Sequence, residues 1–177
     1  QVVMMDDDIQ YIKNISGEMV LEFDDFIIDF FDRLLENALY FGGMCLCSNT
    51  FFMDNSYSTN LKYISGAVQF YRVYRDLEVI ATPYRHFEDY YSCLKHFKRD
   101  GGILRCNFMS PITNNYNPNG GICENMGGLS KRLEEAEVNA DKIISEFPGW
   151  VTRYKKNKSS RNPECCNLRL NCRAKKK

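Results

Sequence analysis

Apolar residues recur at helical spacing along much of the chain. The clearest case is residues 17–40, where apolar side chains recur every three or four residues and acidic side chains fill the opposite face. This pattern predicts an amphipathic helix that Gly42 and Gly43 end, because glycines commonly follow the last helical turn. The same spacing predicts further helices over residues 6–16, 61–80, 84–98 and 129–147.

Two segments between these helices lack the periodicity. Residues 44–60 and 101–127 are rich in Gly, Pro, Asn and Ser, which are the residues of turns. A loop as long as 101–127 is unusual in a compact domain unless it is functional or cross-linked. We therefore expect an all-α fold: an irregular four- or five-helix bundle with long disulfide-stapled loops and a cysteine-rich basic tail. Short strands near 103–108 and 166–173 are the alternative for those two stretches.

Composition and charge divide the chain into two parts. It has 177 residues, 44% of them hydrophobic, which favours one globular domain over a disordered chain, and its apolar runs are too short to cross a membrane. The 23 basic and 23 acidic side chains cancel. Residues 151–177 nevertheless hold ten basic residues against one acidic residue, a net charge of +9, so residues 1–150 carry −9. We expect an acidic helical domain over 1–150 and a basic tail over 151–177 that is packed on it or linked to it by disulfides.

The basic tail indicates an anionic partner. A protein, a glycosaminoglycan or a lipid surface would suit it, and the tail could also dock on the acidic head of a like subunit. Nucleic acid is disfavoured, because the acidic body repels phosphate and the tail has a single aromatic residue after Trp150, Tyr154. The residues predicted to bind the anionic partner are Arg153, Lys155, Lys156, Lys158, Arg173, Lys175, Lys176 and Lys177.

Eight cysteines point to an oxidising compartment. This even number in a small chain, with a C-x-C and a C-C pair, is typical of a secreted disulfide framework whose connectivity the sequence leaves open. The predicted disulfide cysteines are Cys45, Cys47, Cys93, Cys106, Cys123, Cys165, Cys166 and Cys172. The sequons at Asn14 and Asn157 predict N-glycosylation. The expected location is secreted, extracellular or on the cell surface.

A zinc site is the alternative use of three of these cysteines, together with His96. Cys93 and His96 lie three residues apart on one face of a predicted helix, and Cys106 and Cys123 follow. Structural zinc sites usually show two closely spaced pairs of ligands, and only the first pair is close here. We therefore expect neither a metal nor another cofactor.

The sequence lacks the usual catalytic motifs. His86 and His96 are its two histidines, and it has no nucleophile elbow, zinc-protease motif or phosphate-binding loop. A cysteine nucleophile, Cys93 or Cys106 with His86 as base, is formally possible. The pair Glu88-Asp89 lies among aromatic residues and is the first surface to inspect, although a helix with a buried face and an acidic rim explains it as well. We expect a protein that is not an enzyme.

Three functions fit these observations. The first is a secreted or cell-surface binding protein, ligand-like or antigen-like, that acts through protein or glycan contacts. The second is a structural subunit of an extracellular assembly that mates acidic and basic ends. The third is a processed fragment of a larger secreted precursor, because a basic run closes the sequence.

Overall fold

The computed structural model describes residues 1–47, 49–73, 81–113, 129–154 and 167–174, and they form a mixed α/β fold. The expectation of an all-α bundle was wrong. The helices are α1 (Asp24–Glu36), α2 (Glu88–Asp100) and α3 (Leu129–Glu146). The strands are β1 (Val2–Met5), β2 (Ile9–Asn14), β3 (Phe41–Met44), β4 (Tyr57–Ser58), β5 (Val68–Tyr71), β6 (Leu104–Cys106), β7 (Met109–Thr113), β8 (Val151–Tyr154) and β9 (Asn167–Leu170). A single 3₁₀ turn spans Thr50–Phe52.

Five strands form the central sheet, in the order β1-β5-β3-β6-β4. Strands β3 and β6 are parallel, and the other neighbours are antiparallel. Two antiparallel pairs, β2 with β7 and β8 with β9, lie outside this sheet. Parallel strands need a crossover connection, and here α2 is the last element of the chain between β3 and β6.

The two faces of the sheet are buried in two apolar cores. On one face, α1 places Phe30 and Leu34 against Phe70 of β5 and Leu104 of β6, and all four are at most 1% exposed. On the other face, α2 packs against Phe41 and the residues around it. The end of α3 and the β8–β9 pair join this second core through Ile143, Phe147, Val151 and Leu168.

Strand β3 corrects the interpretation of Gly42 and Gly43 as a helix end. A Cβ atom on Gly42 would lie 2.7 Å from the Phe30 ring and 2.5 Å from the Leu104 carbonyl oxygen. On Gly43 it would lie 2.4 Å from Cγ2 of Ile64. The glycines are therefore needed because side chains on both faces approach the backbone of a central strand.

The predicted helix over 61–80 was also wrong where the structure describes it. Val68–Tyr71 form β5, whose side chains are buried or half-buried on both faces of the sheet, so its short apolar run fits a buried strand as well as a helix. Residues 6–16 contain β2 in place of a helix, because Ile9–Asn14 pair with β7. The helices predicted over 84–98 and 129–147 are confirmed as α2 and α3 with small shifts of their ends, and β6 and β9 fall within the two stretches where short strands were the alternative.

Disulfide staples were likewise predicted wrongly for the described residues. Cys45, Cys47, Cys93, Cys106 and Cys172 are free thiols. Cys45, Cys93 and Cys106 are at most 4% exposed, and Cys93 and Cys106 act as small apolar side chains of the two cores. Cys123, Cys165 and Cys166 lie outside the described residues. In the described part, the loops are held by strand pairing and core packing.

The close approach at β3 predicts that added side-chain volume there destabilises the fold. Gly43→Ala should lower the free energy of unfolding by about 3 kcal/mol, because the new methyl group meets Ile64 and the Val68 backbone. Urea denaturation followed by circular dichroism would measure the change. Leu35→Ala is the control: its side chain is 61% exposed on α1, so a change of at most about 0.5 kcal/mol is expected. An alanine variant at Gly43 as stable as the wild type would contradict the packing argument.

Candidate functional site

An apolar cleft lies between the sheet and the first turns of α2. It encloses about 370 Å³, and its walls come from one face of β1 and β5 and from the facing side of α2. The described residues that line it are Val2, Met4, Gln69, Tyr71, Arg72, Val73, Thr82, Glu88, Asp89 and Ser92. A concave apolar site with a few polar groups is the usual form of a ligand site.

The local backbone brings two acidic side chains to this cleft. Phe87 precedes α2 in the left-handed conformation, with φ of 65°, which is uncommon for a bulky residue. The helix therefore begins abruptly at Glu88, and its first turn carries Glu88 and Asp89. Asp6, at the end of β1, is close enough to act electrostatically on Asp89.

Asp89 lines the cleft, and two donors hold its carboxylate. The Tyr63 hydroxyl donates to its Oδ2 over 3.0 Å, and the backbone N–H of Gly66 also donates to the carboxylate. A Cβ atom on residue 66 would lie 2.8 Å from Oδ1 of Asp89, so the glycine permits this close approach. The loop before β5 supplies both donors and thus fixes the position of the carboxyl group.

Burial raises the pKa of Asp89 to about 6. Loss of water around the carboxylate is the largest cause, and the negative charges of Glu88 and Asp6 act in the same direction. The hydrogen bonds from Gly66 and Tyr63 lower the pKa, but their combined effect is smaller than the increase from burial and the nearby charges. A carboxyl group that changes charge near neutral pH in a cleft is a typical mark of a functional site.

The cationic group that lines the cleft is already engaged elsewhere. The Arg72 guanidinium donates to the Leu39 carbonyl oxygen over 3.0 Å and lies 4.3 Å from the centre of the Tyr40 ring. Tyr71 donates its hydroxyl hydrogen to Oε1 of Gln69 over 2.6 Å. The carboxylate of Asp89 therefore has hydrogen-bond donors but no ion pair among the described residues, and a cationic ligand group would supply one.

The predicted zinc ligands are not brought together in the described residues. Cys93 contacts the backbone of Ile64 on the α2 side of the sheet, whereas Cys106 belongs to the core on the α1 side. His96 lies against the Phe41 ring at 4.4 Å, and its Nδ1 is 2.8 Å from the Ser92 carbonyl oxygen. No group of three metal-binding side chains occurs in the part of the chain that is described, and Cys123 lies outside it.

The same environment argues against a reactive thiol or imidazole. Burial raises the pKa of Cys93 and of Cys106 to about 12, and burial lowers the pKa of His96 to about 4. Near neutral pH the two thiols are protonated and His96 is neutral. His86 is itself buried, 8% exposed, in the segment before α2. Since the thiolate is the nucleophilic form, these cysteines are poor nucleophiles.

The remaining predicted sites fall in three places. Asn14 is the half-buried last residue of β2, and its Oδ1 accepts a hydrogen bond from the Glu18 backbone N–H. Arg153 bonds Glu137 and Asp141 of α3, and Arg173 is exposed after β9. The predicted sites outside the described residues are Asn157, Lys155, Lys156, Lys158, Lys175, Lys176 and Lys177.

Comparison with known proteins adds no relative. No protein-family model, no curated protein and no solved structure matches the chain. None of the described helices is long and apolar enough to cross a membrane. The function must therefore be argued from the geometry of the site.

Part of this site was visible in the sequence. The acid pair Glu88-Asp89 among aromatic residues was the surface to inspect first, and it lines the cleft. Tyr63 and Gly66 were missed because they fell in the segment predicted as a helix. A glycine one residue before an apolar run, Gly66 before Ala67–Tyr71, was the signal for a turn into a strand.

The raised pKa of Asp89 predicts a pH-dependent stability. The folded chain holds the proton up to about pH 6, whereas an unfolded aspartate releases it near its ordinary pKa of 3.8. The free energy of unfolding therefore falls as the pH rises from about 4 to 6, by about 2 kcal/mol from this group. Asp89→Asn should remove this part of the slope in urea denaturation measured across that range.

The control for this measurement is Glu36→Gln on the exposed side of α1. It should keep the pH slope of the wild type, because that side chain lies on the opposite face of the sheet from the cleft. An unchanged slope in Asp89→Asn would contradict the assignment.

Proposed function

We propose that the protein is a binding protein and that its cleft takes a lysine side chain of a protein partner. The observation that carries the proposal is the carboxyl group of Asp89, a residue that lines the apolar cleft and has no ion pair among the described residues. A lysine side chain combines an apolar stem with a cationic end, so it matches both the apolar walls and this carboxyl group. A buried carboxylate that gains a cationic partner recovers part of its desolvation cost.

The walls of the cleft support an apolar contact. Val2, Met4 and Val73 are 45%, 53% and 65% exposed, and they line the cleft together. Glu88 adds a second negative charge at the rim. Contacts of this kind favour a ligand that carries positive charge and apolar surface at once.

Binding fits this site better than nucleophilic catalysis. The nearby groups of α2 that carry nucleophilic or basic chemistry, Cys93 and His96, have pKa values shifted toward their neutral, unreactive states. Asp89 is held by donors that orient it, as a binding group requires. We keep the expectation that the protein is not an enzyme as part of this proposal.

The location of the protein and its assembly state do not follow from the cleft, and each stays a proposal of its own. The disulfide argument for a secreted protein loses its support in the described residues, where the cysteines are thiols. Mating of acidic and basic ends remains the alternative function. In the described part, Arg153 already pairs within its own chain with Glu137 and Asp141.

A matched pair of probes tests the proposal. N-acetyl-lysine methylamide and N-acetyl-norleucine methylamide share the apolar stem, and the lysine derivative alone carries the ammonium group. Titration followed by amide NMR shifts of Gly66, Asp89 and Ser92 should show millimolar binding of the lysine probe, on the order expected for a small ligand. Asp89 is about one-tenth ionised at pH 5. The affinity for the lysine probe should therefore be about tenfold weaker at pH 5 than at pH 7.

Asp89→Asn should abolish both the preference for lysine and its pH dependence. The asparagine oxygen can accept from the Gly66 N–H while its NH2 group donates to the Tyr63 hydroxyl oxygen, so the variant removes charge with little change of shape. Glu36→Gln is the matched control and should bind as the wild type. Equal affinity of the two probes for the wild type would refute the cationic ligand.

A further inference from the structure

We propose that a basic groove, separate from the cleft, binds single-stranded nucleic acid. Two cavities of about 240 and 530 Å³ lie along β9, and Arg169, Leu170 and Cys172 line both of them. We call the two cavities together the basic groove. Its polar and aromatic members are Lys62, Tyr63, Tyr90, Arg105, Arg169 and Arg173.

Four cations from three parts of the chain meet in the basic groove. Lys62 precedes β5, Arg105 lies on β6, and Arg169 and Arg173 lie on and after β9. None of the four forms an ion pair with a described residue. Such a cluster of like charges is unfavourable alone and is stabilised by an anionic ligand.

The recessed arginine of this groove is held in place by uncharged groups. Nε of Arg105 donates to Oδ1 of Asn107 over 2.8 Å, and Nη1 donates to the Tyr63 carbonyl oxygen over 3.2 Å. The charge of the guanidinium is therefore kept while its plane is fixed, which suits recognition of a phosphate. Asp54 is near enough to interact with Lys62 and Arg105, but its carboxylate already accepts hydrogen bonds from Ser56 and Asn107.

Two tyrosines add an aromatic wall to the basic groove. The rings of Tyr63 and Tyr90 lie 4.4 Å apart, and both residues line the cavity that contains Arg105. The sequence had disfavoured nucleic acid because the basic tail carries a single tyrosine. The fold supplies the aromatic groups from residues 63 and 90, far from the tail in the sequence.

A nucleic acid strand uses all of these features at once. Phosphates spaced along a strand match the separated cations, and bases stack on aromatic side chains, so a basic groove with aromatic walls is typical of single-strand binding. A sulfated glycan would use the cations but offers no aromatic ring to the tyrosines. The acidic residues of α1 are exposed on the opposite face of the sheet and do not enter the groove.

The experiment measures binding of an oligothymidine of about twelve nucleotides by fluorescence anisotropy at about 50 mM salt. Arg169→Gln with Arg173→Gln should weaken binding about tenfold or more and lower the salt slope by about 1.4, since two phosphate contacts are lost. Lys62→Gln, in another segment, should weaken it as well. Both arginines are exposed, and thermal unfolding would show that the variant is folded.

The matched control is Arg153→Gln. Arg153 belongs to the same basic tail but bonds Glu137 and Asp141 on α3, so its removal should leave oligonucleotide binding unchanged. Glu36→Gln, on the opposite face of the sheet, should also bind the strand normally.

An abasic strand of equal length tests the aromatic wall. It keeps every phosphate and lacks the bases, and it should bind about fivefold or more weakly than oligothymidine. Equal binding of the two strands, tighter binding of a heparin oligosaccharide of equal charge, or no effect of the arginine variants would each overturn the inference.

Discussion

The approach of side chains to the two glycines of β3 is the contact on which the rest of the structure depends. Gly42 admits Phe30 of α1 on one face, and Gly43 admits Ile64 on the other. Ile64 is fully buried, and the loop that it anchors carries Tyr63 and Gly66. The packing of Ile64 at the centre of the sheet positions this loop. The loop in turn positions the two donors of Asp89.

The sheet separates two charged surfaces of the described residues. Acidic residues of α1 are exposed on one side, whereas Arg105 of β6 and Arg169 of β9 line the basic groove on the other. That second side also carries Glu88, Asp89 and the acidic residues of α3, so its positive charge is local to the basic groove. Screening in salt limits the action of one face on the other to about 10 Å, so a ligand on one side meets mainly the local charges.

The sequence predicted the helices better than the strands. Helices α2 and α3 have one buried face and one exposed face, so their spacing gave nearly correct ends. Strands β3 and β5 are buried on both faces, and no polar period marks them. Asp89 was noticed through its aromatic neighbours in the sequence, but its donors and the basic groove depend on contacts between segments far apart in the chain.

The loop that carries Tyr63, Ile64 and Gly66 contributes to both the cleft and the basic groove. Variants that disturb this loop can therefore be distinguished from variants that change one site. Tyr63 donates to Asp89 through its hydroxyl group and accepts from Arg105 through its carbonyl oxygen. A change that loosens the packing of Ile64 on Gly43 must disturb the cleft and the basic groove together. Arg169 forms no hydrogen bond or ion pair with the described residues of this loop, so a change there removes a charge from the basic groove alone, whereas Asp89 bonds Tyr63 and Gly66 of the loop. Loss of both proposed binding functions therefore reports on the loop and its packing, whereas loss of oligonucleotide binding alone reports on the chemistry of the basic groove.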